Sequence, residues 1–445
     1  MSANPAELDM AALGERSVDY LVKKGAKEAA VVVGRGRSIE CEIRERKVER
    51  LQESASASMS VAVYADGKYS GHSTNDLRWE SVAPFLDNAL AMTRFLEKDE
   101  FRRLPDPKLY ENRPTLELGM ADPTYRKVET AARKQLAKDV EAAALDAAGP
   151  DVIQSVTSFF GDGWGETIRV TSNGFKASEE YTSFSAGAEV TVKDGDKRPE
   201  DYWYVASRKY SDIKNPEFLG RTAVSRAKAR IGAKKIAGGN MDILVENRVS
   251  GRLLGFFLQA TTAGALQQKR SFLDGKIGKR VVSEKLTIMD DPLIPGALGS
   301  RHWDGEGISA KRMPVLEKGV LRNYFVDTYY GRKMNMEPTT GGWSNLVIEP
   351  GARDLAAMIK SMKRGLVVTS FLGGNSNSLT GDFSTGIQGY LVENGEAVHA
   401  VSEMNLSGNH NDFWDHLDEI GSDVWTMSSV RIPSIAYKNV SVSGS

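Results

Sequence analysis

The spacing of apolar positions divides the chain into helical and extended stretches. From Glu7 to Lys24, the residues Leu8, Ala11, Leu13, Val18, Leu21 and Val22 recur at roughly helical spacing and predict an amphipathic helix. Ala29 to Val33 is a short apolar run of the kind a buried strand shows. Ile39 to Leu51 alternates apolar with charged residues and predicts a half-exposed strand. Met59 to Tyr64 and Tyr69 to His72 flank Asp66-Gly67, a hairpin signal, and Leu77 to Phe95 returns to helical spacing. These stretches together form an α-β-β-β-α unit.

Asp99 to Thr124 carries Pro105, Pro107, Pro114 and Pro123 and reads as a connection. A helix is predicted from about Tyr125 to Ala147. Strands follow over Val152 to Ser207, with turns expected at Gly161-Asp162-Gly163, Ser172-Asn173-Gly174 and Asp194-Gly195-Asp196. A further helix spans about Pro216 to Ala233. Gly238-Gly239-Asn240 marks a boundary, which predicts a domain over 1–238, divisible into 1–100 and 125–238, and a second over 239–445. The second opens with a strand from Asp242 to Val245 and a helix from Val249 to Ser271. Beyond them β signals dominate, including hairpins at Val315–Leu321 and Leu391–Val398, a helix over about Asp354 to Lys363 and a strand from Leu366 to Phe371. The expected class is α+β: helices and antiparallel strands first, then a β-rich C-terminal domain.

Composition narrows the function classes. The chain has 445 residues, 41% of them hydrophobic and 26% charged, as in an ordinary globular protein. A formal net charge of −1 gives no global field to attract nucleic acid. No apolar run is long enough to span a bilayer, and the N-terminal stretch lacks the basic and apolar regions of a secretory signal. The single cysteine, Cys41, excludes an intrachain disulfide framework. A cytoplasmic location is the expectation.

The residue types that carry chemistry are sparse. The five histidines are His72, His302, His399, His410 and His416, and no two have the spacing of a zinc-binding helix. His410 and His416 flank Asp412 and Asp415 in HNDFWDH and are the alternative metal candidates, against a plainer reading as a polar surface loop. Cys41 sits in an alternating strand with no histidine beside it, so a structural role is expected. Gly34-Arg35-Gly36 fails the dinucleotide fingerprint, and Gly373-Gly374 reads as a tight turn. Asp290-Asp291 and Asp304-Gly305-Glu306 could act as paired acids if burial separated their pKa values, but the expected setting is a solvated turn.

Several stretches resemble the TldD/PmbA family. They are Asp304-Gly305-Glu306-Gly307 with the hairpin Val315–Leu321, Ser283–Ile288 with Asp290-Asp291, Thr380–Ser384 through Val392–Gly395, Asn405–Asn409, and the turn Thr171–Gly174. The likeness is to the PmbA (TldE) branch and covers nearly the whole chain. It implies a cytosolic proteolytic complex in which a metal-bearing TldD-type subunit pairs with a PmbA-type subunit to trim or degrade unfolded peptides, leader segments of peptide antibiotics among them. The family has also been described as a modulator of DNA gyrase. In its metal-bearing branch, a His-Glu-x-x-x-His helix and a cysteine near the C-terminus hold zinc. The corresponding positions here are near Gly255, Phe256 and Ala260, and at Met427, and none is a zinc ligand. The resemblance therefore implies no catalytic residue, no metal and no cofactor in this chain, with zinc in a TldD-like partner. It leaves open a homodimer in isolation, a stand-alone hydrolase and a regulatory binding protein.

Overall fold

The computed structural model describes residues 9–213 and 215–444. The predicted start of the first helix, at Glu7 and Leu8, lies outside them. The described helix, α1 (Met10–Lys23), is capped by Asp9, whose side chain accepts from the Ala12 amide. In chain order there follow β1 (Glu28–Arg44), β2 (Lys47–Ala65), β3 (Lys68–Thr74), α2 (Trp79–Thr93), α3 (Thr130–Ala148), β4 (Ile153–Thr171), β5 (Lys176–Val192), β6 (Glu200–Ser207) and α4 (Pro216–Lys228).

These six strands form one antiparallel sheet in the order β3-β2-β1-β4-β5-β6. Two expectations are corrected here. The runs Ala29–Val33 and Ile39–Arg44 belong to a single strand, because residues 34–38 pair with both β2 and β4. The chain then reverses at Glu45 and Arg46, both at positive φ, so Lys47–Leu51 opens the next strand. The alternation misled because it continues through the turn into Val48 and Leu51, which are exposed. Gly161-Asp162-Gly163 is likewise no turn but mid-strand. A Cβ on Gly161 or Gly163 would lie 3.3 or 3.2 Å from the Oγ of Ser185 or Ser183 on β5. The glycines make room for the neighbouring serines.

Alternate residues of a strand share a face. Val31 and Val33 of β1, Met59 and Val61 of β2, and Ile168 and Val170 of β4 pack with Leu13 and Leu21 of α1 and Val82 and Leu86 of α2. Cys41 and Ile43, Phe160, and Phe184 of β5 pack with Val140 of α3 and Leu219 of α4. Residue parity places both helix pairs on the same face, one pair at each end of the long strands. Cys41 is fully buried and its thiol pKa is pushed up by burial, in keeping with a structural role.

The C-terminal part contains β7 (Gly239–Val245), α5 (Asn247–Leu258), α6 (Ala263–Gln267), β8 (Ile288–Asp290), β9 (Met313–Glu317), β10 (Val320–Leu321), α7 (Thr328–Met334), β11 (Leu346–Ile348), α8 (Leu355–Ser361), β12 (Arg364–Ser376), β13 (Asp382–Glu393), β14 (Glu396–Asn409), α9 (His410–Phe413), β15 (Leu417–Ile420), β16 (Val430–Arg431) and β17 (Ile435–Ser443). One sheet runs β10-β9-β8-β11-β16. The other runs β14-β13-β12-β7-β17-β15, and a β14–β17 pairing closes five of its strands into a ring. Gly373 and Gly374 lie inside β12 at a register shift, where both take positive φ, so the expected tight turn is a bulge.

The helix expected from Val249 to Ser271 is broken. It ends at Leu258, passes through a 3-10 turn at Gln259–Thr261, and resumes as α6. The hydroxyls of Thr261 and Thr262 turn back onto the Leu258 and Gln259 carbonyls, 2.7 and 3.0 Å away. The freed backbone instead pairs with Phe325 through Phe325 N to Thr261 O and Ala263 N to Phe325 O.

Candidate functional site

Helix α5 is the natural centre of a site, because its length holds two of the positions singled out by sequence. Its first turn is anchored on both flanks. On one, Asn247 N donates to Ser434 Oγ (2.9 Å), Ser250 Oγ donates to Pro433 O (2.9 Å), and Ser434 Oγ donates to Asp423 Oδ2 (2.7 Å). The segment 423–434, which carries Met427, is thereby pinned along the helix. The approach is close enough that a Cβ on Gly251 would lie 3.1 Å from Val430 Cγ1.

The other flank is β6, an edge strand of the first sheet. Its Asp201 is buried among three guanidiniums. Arg230 Nε and Nη2 donate to Asp201 Oδ2 (3.0 and 2.9 Å), Arg248 Nη2 donates to Asp201 Oδ1 (3.2 Å), and Arg226 Nε stands 3.5 Å from Oδ2. Glu246 takes both terminal nitrogens of Arg226, at 2.7 and 2.8 Å. Burial alone would raise the Asp201 pKa, but the charges of Arg226, Arg248 and Arg230 hold it below the usual carboxylate range. Beside this cluster Trp425 packs edge-on against Trp203 and Tyr204, with ring centroids 5.5 and 5.8 Å apart. The Ala206 amide donates to Met427 Sδ at 3.4 Å. Both α5 and the 423–434 segment are therefore docked on β6.

The donor chemistry at the four singled-out positions does not fit zinc. Gly255 has no side chain, and a Cβ built on it would meet nothing within 4 Å. Phe256 is buried in the core with Leu253 and Phe257. Ala260 is a fully buried methyl group on the 3-10 turn, past the end of α5. Met427 offers a thioether already engaged by an amide, where zinc takes thiolate or imidazole.

The HNDFWDH stretch is not the polar surface loop expected. It forms α9 and a following 3-10 turn, and His410, Phe413 and Trp414 are buried. His410 stacks against Phe383 and Phe272, with centroids at 4.7 and 5.8 Å. Its Nδ1 accepts from Trp414 Nε1 (3.1 Å) and its Nε2 lies 3.3 Å from Ser376 Oγ. Burial lowers its pKa to about 4, so it is a neutral ring with both nitrogens occupied. His416 is half-buried on the next turn. Among the described residues, no group of three or more His, Cys, Asp or Glu side chains could hold a metal ion, and His410 with His416 forms none.

The acid pairs are not solvated turns either. Asp290 is buried and accepts from Ser344 N (2.6 Å) and Ser344 Oγ (2.7 Å). Asp304 accepts from the amides of Glu306 and Ile308, and Glu306 from Thr328 N and Oγ1. Burial raises the pKa of Asp290 and of Glu306. These carboxyls hold loops together, a role no spacing in the sequence announces. Sequence reasoning also missed Asp201 and Arg248, since the partners of Asp201 come from α4, the turn that follows it and α5, and nothing local marks them.

Comparison with known proteins matches this architecture. Residues 238–444 match the PmbA/TldA metallopeptidase C-terminal domain, and 123–231 match the central domain of the same family. The Escherichia coli O157:H7 protein named Metalloprotease PmbA is 27% identical over 94% of this chain and 92% of its own length. A solved Bacteroides thetaiotaomicron structure, described as a candidate modulator of DNA gyrase, superposes with a TM-score of 0.94 at 37% identity over 98% of both chains. TldE from Thermococcus kodakarensis shares the fold, with a TM-score of 0.86 at 20% identity over 97% of this chain and all of its own. No described helix is long and apolar enough to cross a membrane. With one fold over almost its full length and two family domains in order, the chain belongs to the PmbA/TldD family.

Proposed function

We propose that this chain is the non-metal subunit of a cytoplasmic TldD-type peptidase complex, pairing with a zinc-bearing relative that carries the His-Glu-x-x-x-His helix. The observation that carries this reading is the set Gly255, Phe256, Ala260 and Met427: no side chain at these positions can ligate zinc, while the helix and loop bearing them stay rigidly docked on β6. A frame kept in order without its ligands suits a subunit that supports and encloses a partner's site. A catalytic zinc needs three protein ligands and an open position, which these residues cannot supply. The substrates would be unfolded peptides, including leader segments.

The test is co-expression with a His-Glu-x-x-x-His relative from the same source. A stable complex should form, and it should cleave an unstructured peptide faster than either chain alone. No complex and no gain in cleavage would overturn the reading. Metal analysis of the separately purified chain should give well below one zinc per chain. Stoichiometric zinc lost in His416→Ala would favour a stand-alone hydrolase.

A further inference from the structure

The two helix pairs on the first sheet leave its waist uncovered. On either side of the waist the helix face carries large apolar residues: Val33, Met59 and Ile168 towards α1 and α2, Ile43 and Phe160 towards α3 and α4. Between them the same face changes character. β1 carries Arg35 and Arg37, β2 carries Ala55 and Ala57, and β4 carries Trp164 and Glu166. The result is a groove of about 360 Å³, walled by Trp164, Tyr125 and Arg126 and floored by the small residues of β1 and β2. The gap is written in the sequence, because methyl groups stand where the flanking positions have side chains that fill the space under a helix.

The groove opens onto a free strand edge. Lys47 to Ser58 of β2 pair with β1 alone, because β3 begins its pairing at Met59. Sheet edges are normally blunted by proline, charge, a bulge or a covering element. Ser54-Ala55-Ser56-Ala57-Ser58 has no proline or charge, and the β1–β2 register is unbroken there.

The charges around the groove are balanced except at Arg126, and Glu180 accepts from the Trp164 indole. Arg35 is paired with Glu166 (2.7 Å), and Arg37 with the exposed Glu53 (2.8 Å). Arg126 lies over the Trp164 ring at 5.2 Å and has no carboxylate within ion-pair distance among the described residues. A carboxylate arriving along the edge meets an uncompensated guanidinium, and a second whose partner can swing into water. Between them stand an indole and a phenol ring.

We propose that an extended acidic peptide carrying an apolar or aromatic side chain adds to the edge of β2 at Ser54–Ser58 and seats that side chain in the groove. Main-chain pairing supplies affinity. Alternation along the added strand carries every second side chain over the helix face, towards Ala55, Ala57 and the rings. Carboxylates two residues to either side of the seated one share its face and reach Arg126 and Arg37. This site lies on the first sheet, away from α5, and does not depend on the subunit reading.

The test uses the full chain and a fluorescein-labelled peptide with a central Phe, Glu two and four residues to either side of it and Thr between, followed by fluorescence anisotropy. Peptides with Lys or Ser in place of Glu serve as controls. Saturable binding of the acidic peptide is expected, weakening as salt rises. The exposed change Arg126→Ala should weaken it about tenfold, the size of one lost charge-assisted hydrogen bond. Ala57→Trp, which fills the groove, should abolish it while the thermal melt shows a folded chain. Absence of saturable binding, equal binding of all three peptides, or unchanged affinity in Arg126→Ala would overturn the proposal. So would a homodimer that Ala57→Trp dissociates in sedimentation while no peptide binds, since the edge would then belong to a second copy.

Discussion

Asp201 and Asp290 are the same residue type at nearly the same burial, 4% and 1% exposed, yet their carboxyls are driven in opposite directions. Asp201, at the joint between the first sheet and α5, is ringed by Arg226, Arg248 and Arg230, which hold its pKa below the ordinary carboxylate value. Asp290, in the small sheet, has the neutral donors of Ser344 on Oδ1 and a single guanidinium, Arg301, opposed by the Asp291 carboxylate, so burial prevails and pushes its pKa up. Desolvation is the largest influence on both. Whether the neighbouring positive charge outweighs it, three guanidiniums at Asp201 against one at Asp290, decides which way the group goes. Asp201 is accordingly a charged fastener between two parts of the fold, and Asp290 a hydrogen-bond acceptor that tolerates a proton.

The sharpest way to break this contrast is a matched pair of amide substitutions. Asp201→Asn leaves three buried guanidiniums facing Glu246 alone. Arg248 Nε and Nη1 and Arg226 Nε already lack hydrogen-bond partners. The loss should be about 3–5 kcal/mol in urea unfolding, as when one partner of a buried charge pair is removed. A loss under about 1 kcal/mol would show the cluster to be solvated.

A second experiment extends the comparison to a buried group with no compensating charge. His410 has its pKa lowered from 6.5 to about 4 by burial alone. The unfolded chain therefore binds the extra proton between those values, and stability should fall as pH drops from about 6.5 to 4. The expected loss is about 3 kcal/mol. His410→Gln should flatten that part of the stability profile. A His410→Gln profile with the same slope as the wild type over this range would refute the buried neutral ring. Asp290 and Glu306 act in the opposite sense. Their raised pKa values mean the folded state takes up protons first, so their contribution grows as pH falls towards the ordinary carboxylate range.

The smallest effect completes the pair. Asp290→Asn keeps Oδ1 as acceptor for both Ser344 donors and removes a charge that burial already disfavours. It should cost less than about 1 kcal/mol. A loss as large as that of Asp201→Asn would mean that Asp290 is ionised and held by Arg301.

Much of the element pattern was legible before any contact was known. The hairpin turns at Asp66-Gly67 and Asn394-Gly395 stand where their residues predict, because Asp66, Asn394 and the glycines accept the positive φ such turns need. The errors share a cause. Ile39–Leu51 reads as one strand because alternation is blind to a reversal, and Gly161-Asp162-Gly163 reads as a turn because glycine serves turns and crowded strands alike. The helix break after Leu258 depended on Phe325, 67 residues further on.

The chain by itself determined what Gly255, Phe256, Ala260 and Met427 cannot do, because ligating ability is a property of side-chain identity. It also determined the period of most helices and strands, which follows from local backbone geometry. Tertiary structure decided which ionisable groups are charged, that His410 is a core ring and not a surface one, and that the waist of the first sheet is left open beside a free edge. Those outcomes depend on desolvation, on the charge of neighbours far away in sequence, and on which faces the packing layers cover, and none of these is set until the distant strands and helices meet.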